Sequence, residues 1–403
     1  VTGPTGAQAA TGPSGAQAAT GPGGVQAATG QSAALAAAPG SQTVVVKIGS
    51  SSVTTPGGGV DRRAVAKLRD EVVALRAEGH QVVLVSSGAV AAGRSSLGHR
   101  RSPTDPAELQ ALAAVGQPKL MRVYDDLFGA AGVPVGQVLL APLDFAHRQQ
   151  YLHARRTLDR LLSLGVLPIV NENDATSDDE LRFGDNDRLA ALVAHLVAAD
   201  LLVLLTDTAG LFTADPRRDT EASLIEEVAE VDQALEAIAG GAGSDVGSGG
   251  MAAKLGAARI ASWSGVRTVI ADAARSDVLL GAVAGASGIG TVFRAHRRRL
   301  SARKLWIAFA LAPAGRLVVD DGARQALVER DASLLPAGVL SVGGSFGADD
   351  AVEIATADGT VFAKGLSRLA ADQVRRWAGR RTSELPEGDR SEIVHRDDLV
   401  VLC

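Results

Sequence analysis

Two periods of apolar residues alternate along most of this chain. Short runs with few polar residues, Thr43–Ile48, Gln81–Val85, Val166–Val170 and Asp200–Thr206, are rich in Val, Leu and Ile. Such runs read as strands buried on both faces. Longer stretches with apolar residues three and four apart, Asp61–Glu78, Ala107–Ala131, Arg148–Leu164 and Asp185–Val197, predict helices. Asp and Asn at 185–187 are natural helix caps. The alternation runs from Thr43 to about Phe293 and implies an α/β domain built on a mainly parallel sheet covered on both faces. From about Ala314 the texture changes to short strands and turns, among them Gly338–Val342 and Val352–Ala355, with a helical stretch at Gln373–Trp377. The expected division is a larger α/β domain over 43–293, a linker over 294–313 that holds His296–Arg299, and a small, mostly β module over 314–403.

Residues 2–37 follow neither period. They form four near-copies of a nine-residue unit, starting at Thr2, Thr11, Thr20 and Thr29. Glycine opens two of every three triplets, which excludes a collagen-type triple helix. The segment has no charged residue and almost no large apolar one, so residues 1–42 are expected to be disordered. It lacks the basic and apolar regions of a signal peptide.

Composition narrows the setting. Hydrophobic residues make up 46% of the 403, enough for a sizeable core, and the formal net charge is −5. That balance points to neither nucleic acid nor a membrane surface. The single cysteine, Cys403, excludes an intrachain disulfide and favours a reducing, cytoplasmic setting. No apolar run reaches the ~18–20 residues that a membrane span needs.

Candidate chemistry clusters where strands end or helices begin. Asn171-Glu-Asn-Asp174 follows the strand at 166–170, and Phe183-Gly-Asp-Asn-Asp187 opens the next helix. Ligands of open α/β sheets bind at that edge, where carboxylates and amides can accept from an ammonium or meet Mg²⁺. Lys47-Ile-Gly-Ser50 ends the first strand. A lysine beside a small-residue turn can meet phosphate oxygens, although no Walker motif is present. Ser86 and Ser87 run into Gly88 and a helix, Thr206-Asp207 ends another strand, and Gly247-Ser-Gly-Gly-Met-Ala-Ala-Lys254 is a glycine loop entering a helix with a lysine one turn in. Loop, helix start and lysine together suit a polyphosphate.

In this order the motifs resemble the glutamate 5-kinase family of the amino acid kinase superfamily. The resemblance runs from about Thr43 to the C-terminus. It includes Ala113-Ala-Val-Gly-Gln117 and Gly136-Gln-Val-Leu-Leu140, and a second module, Val318–Ala323 through His395–Asp398, that is similar to a PUA domain. It implies an amino acid kinase-type three-layer fold with a PUA-like C-terminal domain. The implied activity is ATP-dependent phosphorylation of the γ-carboxylate of L-glutamate, with Mg²⁺ on the phosphates. By resemblance Lys47 contacts the transferring phosphoryl group, Lys254 stabilises charge on the nucleotide side, and Asp187 organises the lysines or the substrate. Ser87, Asp174 and Asn186 match glutamate-binding positions. Thr206, Asp207, Ser248, Gly249, Gly250, Met251, Ala252, Ala253 and Lys254 resemble the nucleotide contacts. The family further implies proline as feedback inhibitor, a homo-oligomer, and transient contact with the next pathway enzyme.

Other residues have plainer readings. His80, His147, His153 and His195 show no metal-ligand spacing. Trp263, Trp306 and Trp377 are scattered and are expected to pack locally. Arg375-Arg376 and Arg380-Arg381 could touch RNA, but residues 301–403 hold 13 basic and 15 acidic residues, a thin footprint for nucleic acid. Two alternatives stay open. One is the same fold acting on another acceptor, such as N-acetylglutamate, aspartate or a nucleotide. The other is an RNA-binding protein with a vestigial kinase fold, which the intact Lys47 and Lys254 oppose.

Overall fold

A computed structural model describes residues 40–98, 105–145, 147–176, 186–216, 219–231, 235, 250–297, 299–385 and 392–402. Residues 1–39, which hold the repeats, lie outside the described residues, as do Asp185, Ser248 and Gly249. All described residues belong to one compact unit, Leu35–Cys403.

The apolar runs form an eight-stranded sheet: β1 (Thr43–Ile48), β2 (Gln81–Val85), β3 (Val135–Leu140), β4 (Leu167–Glu172), β5 (Leu201–Thr206), β6 (Glu227–Val228), β7 (Arg267–Asp272) and β8 (Thr291–Phe293). Their spatial order is β3-β4-β2-β1-β5-β7-β8-β6. All pairs are parallel except β7 with β8. Successive side chains of a strand point to opposite faces, and β1 shows why its run is unbroken. Val45 joins a core with α5 (Arg148–Ser163), α6 (Asn186–Leu196) and α7 (Met251–Trp263). Val44 and Val46 join the opposite core with α2 (Arg62–Ala77), α4 (Pro106–Ala130) and α8 (Val278–Ala284). This is the three-layer arrangement expected from the sequence.

Local chemistry sets the helix starts. Asp61 accepts from the N–H groups of Arg63 and Ala64, and Asp105 accepts from Glu108 N–H with Pro106 at the first position of α4. Gly88, at φ 104°, makes the left-handed turn from β2 into α3 (Ala89–Ser96). Helices α3 and α4 then touch backbone to backbone. A Cβ on Gly116 would lie 1.8 Å from Ala89 O, and one on Gly93 would lie 1.9 Å from Leu112 O.

Residues 294–313, expected as a linker, contain α9 (Ala302–Leu305) and a π-helical turn, Trp306–Ala310. The C-terminal module is a five-stranded sheet of order β10-β9-β11-β12-β13. Its strands are β9 (Gly315–Val319), β10 (Val339–Gly344), β11 (Ala351–Ala355), β12 (Val361–Leu366) and β13 (Leu399–Val401). Two helices accompany it, α10 (Asp321–Arg330) and α11 (Ala371–Trp377). The first was not legible as a helix. It buries only Leu327, so its apolar stripe is too thin to show a period.

The α3–α4 contact yields a test. Gly116→Ala is expected to destabilise the protein by about 1–3 kcal/mol through overpacking. Gly129→Ala on the same helix, where a Cβ meets nothing within 4 Å, is expected to be neutral or stabilising. Urea unfolding compares the two, and equal responses would refute the close approach.

Candidate active site at the carboxyl ends of β4, β2, β1 and β5

The strands that carry the candidate residues are neighbours: β4, β2, β1 and β5 lie side by side. Their carboxyl ends therefore form a row, with adjacent strands roughly 4.8 Å apart. Asn171–Asp174 ends β4, Ser87 follows β2, Lys47 is near the end of β1, and Thr206-Asp207 ends β5.

The centre of the row is a charged triad. Lys47 Nζ lies 2.7 Å from Asp187 Oδ1, and Lys254 Nζ lies 3.1 Å from Asp187 Oδ2. The Asp187 side chain is fully buried, and both lysines are buried as well. Asp187 stands in the first turn of α6 and Lys254 in the first turn of α7, so both helix N-termini face the sheet edge. A Cβ on Gly49 would lie 3.6 Å from Lys47 Nζ, so the turn after β1 passes close beside the Lys47 ammonium. Each ammonium has three donors, and a pair of them beside helix N-termini suits an anion with several oxygens.

The β4 end is built from amides and carboxylates. Asn171 Nδ2 donates to Gln117 Oε1 at 2.9 Å, and Asn186 Oδ1 accepts from Glu172 N–H at 3.2 Å. Asn186 and Asp187 are consecutive, so one peptide unit ties this end to the triad. Gln117 Nε2 and Asp174 Oδ1 are buried with no hydrogen-bond partner. A buried donor and a buried acceptor left unpaired are costly, and together they match a carboxylate and an ammonium. Burial pushes the Asp174 carboxyl up to about 6. At the end of β2, Ser86 is occupied by Tyr124, with hydroxyl oxygens 2.8 Å apart, whereas Ser87 is buried at the turn into α3.

On the other side, Thr206 Oγ1 donates to Asp207 Oδ1 at 3.2 Å. Both line a cavity of about 270 Å³ with Ser51, Ser52, Lys67 and Asp272. The cavity includes neither Lys47 nor Lys254. Gly250, Met251, Ala252 and Ala253 form the start of α7, where no side chain caps the helix.

The structure thus brings Lys47, Asp187 and Lys254 together, and joins Asn186 to the β4 end. Gln117 was missed as a site residue, and the bonds made by Asn171 and Glu172, which belong to the candidate Asn171–Asp174 segment, were not foreseen. The signal for Gln117 was a polar residue directly after a glycine in the Ala113–Gln117 helix motif. Among the described residues no group of three His, Cys, Asp or Glu side chains is arranged to hold a metal.

Comparison with known proteins shows the family to which the chain is similar. The Amino acid kinase family model matches residues 42–272, and the PUA domain model matches 315–388. A glutamate 5-kinase of Pelobacter propionicus is 45% identical over 356 residues, covering 87% of this chain and 95% of the relative. One from Herminiimonas arsenicoxydans is 46% identical over 354 residues, with the same coverages. One from Geobacter sulfurreducens is 45% identical over 356 residues, again with those coverages.

Asp174 yields a prediction without any ligand. Its folded value, about 6, lies above its ordinary value. Between the two, the folded chain binds a proton that the unfolded chain does not. Stability is therefore lost as pH rises through that window, and the full cost stands above it. Asp174→Asn is expected to stabilise the ligand-free protein by on the order of 1–3 kcal/mol near neutral pH, with a smaller gain near pH 4. Urea unfolding at both pH values checks this, and a gain independent of pH would contradict it.

Proposed function

The chain belongs to the glutamate 5-kinases of the amino acid kinase family, and on that premise we propose how its residues divide the reaction. The enzyme transfers the γ-phosphoryl group of ATP to the γ-carboxylate of L-glutamate, the first step of proline biosynthesis. A PUA domain follows the kinase domain. The observation that carries the assignment is the row of strand ends: amide and carboxylate groups on β4, the lysine triad over β1, Thr206-Asp207 on β5. Glutamate occupies the β4 and β2 end, the nucleotide the β5 and α7 end, and they meet at Lys47.

Phosphoryl transfer to a carboxylate needs positioning and charge neutralisation more than proton transfer. A γ-carboxylate oxygen attacks the γ-phosphorus, the bond to the β–γ bridging oxygen breaks, and ADP departs with that electron pair. No general base is required. Lys47 offsets the repulsion between the two anions, and Lys254 neutralises charge that grows on the leaving phosphate. Asp187 pairs with both lysines and fixes their separation. Gly250 and the Met251–Ala253 turn offer backbone N–H groups to the phosphates, with Ser248 and Gly249 preceding them. Mg²⁺ bound with the nucleotide would supply further neutralisation of the phosphate charge.

At the other end, Asp174 accepts from the α-ammonium. The unpaired Gln117 Nε2, with Asn186 and Ser87, takes the α-carboxylate. A free α-ammonium offsets the cost of the buried Asp174 charge, whereas an N-acetylated acceptor leaves it unpaired. This supports glutamate over N-acetylglutamate.

Three measurements test the assignment. Hydroxylamine trapping of the acyl phosphate is expected with L-glutamate and not with N-acetylglutamate or aspartate, and trapping with the acetylated acceptor alone would overturn it. Lys254→Ala is expected to lower kcat by ~10²–10³ in a folded protein, and a kcat near that of the wild type would remove Lys254 from the mechanism. Proline shares the α-nitrogen and α-carboxylate of glutamate but has no γ-carboxylate, so we further propose that it inhibits at the Asp174 end. Added glutamate is expected to relieve that inhibition, and inhibition indifferent to glutamate would exclude a shared site.

A further inference from the structure

Two arginines outside the triad converge on one residue, Phe309, and both stand on the helices that carry the triad. Arg188 directly follows Asp187 in α6, and its Nη2 donates to Phe309 O at 2.5 Å. Arg259 stands on α7, beyond Lys254, with its guanidinium carbon 5.9 Å from the centroid of the Phe309 ring. That is within range of a cation–π attraction. Phe309 lies in the π-helical turn Trp306–Ala310. Such turns are rare and concentrate at functional sites.

The same turn is held from the C-terminal sheet. Lys364 of β12 donates through Nζ to Ala308 O at 3.3 Å and also to Leu311 O. Lys364 is buried, and burial pushes its ammonium down to about 8, with Glu353 opposing the shift and Arg188 adding to it. Phe309 packs both on the core lined by α6 and α7 and on a small cluster of Ile307, Ala308, Ala351, Leu366 and Val400. The connection is also strapped to the last residue of α7. Trp263 stacks on His296 with ring centroids 4.0 Å apart, and Leu300 N–H donates to Trp263 O at 2.9 Å.

Asp187 and Lys254 sit in the opening turns of two helices that meet through this ion pair and through apolar packing. A small slide of α6 against α7 would break the two-sided contact of Asp187. We propose that the Trp306–Ala310 turn is a positioning element for phosphoryl transfer. Arg188 and Arg259, acting through Phe309, fix α6 relative to α7, and Lys364 anchors the turn to the C-terminal sheet. None of these residues touches the reacting atoms. The inference rests on the reading of Asp187 and Lys254 as the reacting centre.

The test is steady-state kinetics on the full chain, with a melting curve for each variant. Arg188→Gln and Phe309→Leu are each expected to lower kcat about tenfold, because a misplacement of about 1 Å costs up to about 10² in rate. The KM values for glutamate and ATP are expected to stay within about twofold, since neither residue touches a substrate. Arg188→Lys keeps a donor for Phe309 O and is expected to recover most of the rate. Lys364→Met is expected to lower kcat in the same direction. The double variant Arg188→Gln/Phe309→Leu is expected to be no slower than the slower single, because both act through one contact. A kcat near wild type in folded Arg188→Gln and Phe309→Leu, or losses that multiply in the double variant, would overturn the proposal. If Lys364→Met does not fold, the Arg188 and Phe309 variants decide. Lys254→Ala separates the two readings. If it stays active, the assignment of the centre fails; if it is inactive while Arg188 and Phe309 are indifferent, only this proposal fails.

Discussion

One buried carboxylate constrains the kinase domain. Asp187 has no exposed side-chain surface, and each of its oxygens meets a lysine. A buried charge stripped of one partner costs several kcal/mol. The ends of β1, α6 and α7 must therefore stay in register with one another. The helix starts at 186 and 251 and the shared apolar core of α6 and α7 serve that register. On the proposed assignment the same constraint supplies the chemistry. Two cations held apart by one anion are preorganised for a phosphoryl group that passes between two other anions.

The strand order turns this centre into a site with two ends. Amides and a carboxylate lie on the β4 side, and hydroxyls and helix N–H groups on the β5 and α7 side. The β4 end is costly for the empty protein, because Gln117 Nε2 and Asp174 Oδ1 are buried without partners. On the proposed assignment an amino acid ligand offsets that cost, a trade of stability for recognition that is common at functional sites.

The C-terminal sheet meets the kinase domain through a short helical connection rather than a loose linker. Lys364 and Arg188 both reach that connection and bond to backbone carbonyls of neighbouring residues. These two bonds go to backbone carbonyls, whereas the Arg259 contact depends on the Phe309 ring.

By itself, the sequence determined the elements and the chemistry at their ends. Unbroken runs such as Val44–Val46 show strands buried on both faces, and the 3.6-residue period shows the helices between them, because both signals are local. Lys47, Ser87, Asn171–Asp174, Thr206 and Lys254 were legible because polar residues at strand ends and helix starts interrupt those patterns. Tertiary structure alone decided which of them meet. The order β4-β2-β1-β5 is not the chain order, and no periodicity encodes it. Asp187 and Lys254 are 67 positions apart, and their contact depends on how α6 packs on α7. Gln117 enters the site because Gly93 and Gly116 let α3 and α4 touch, which fixes the rotation of α4. The grip on the Trp306–Ala310 turn was invisible for the same reason: Arg188 and Arg259 meet Phe309 and Lys364 meets Ala308 from three different elements, and only folding brings those distant segments together.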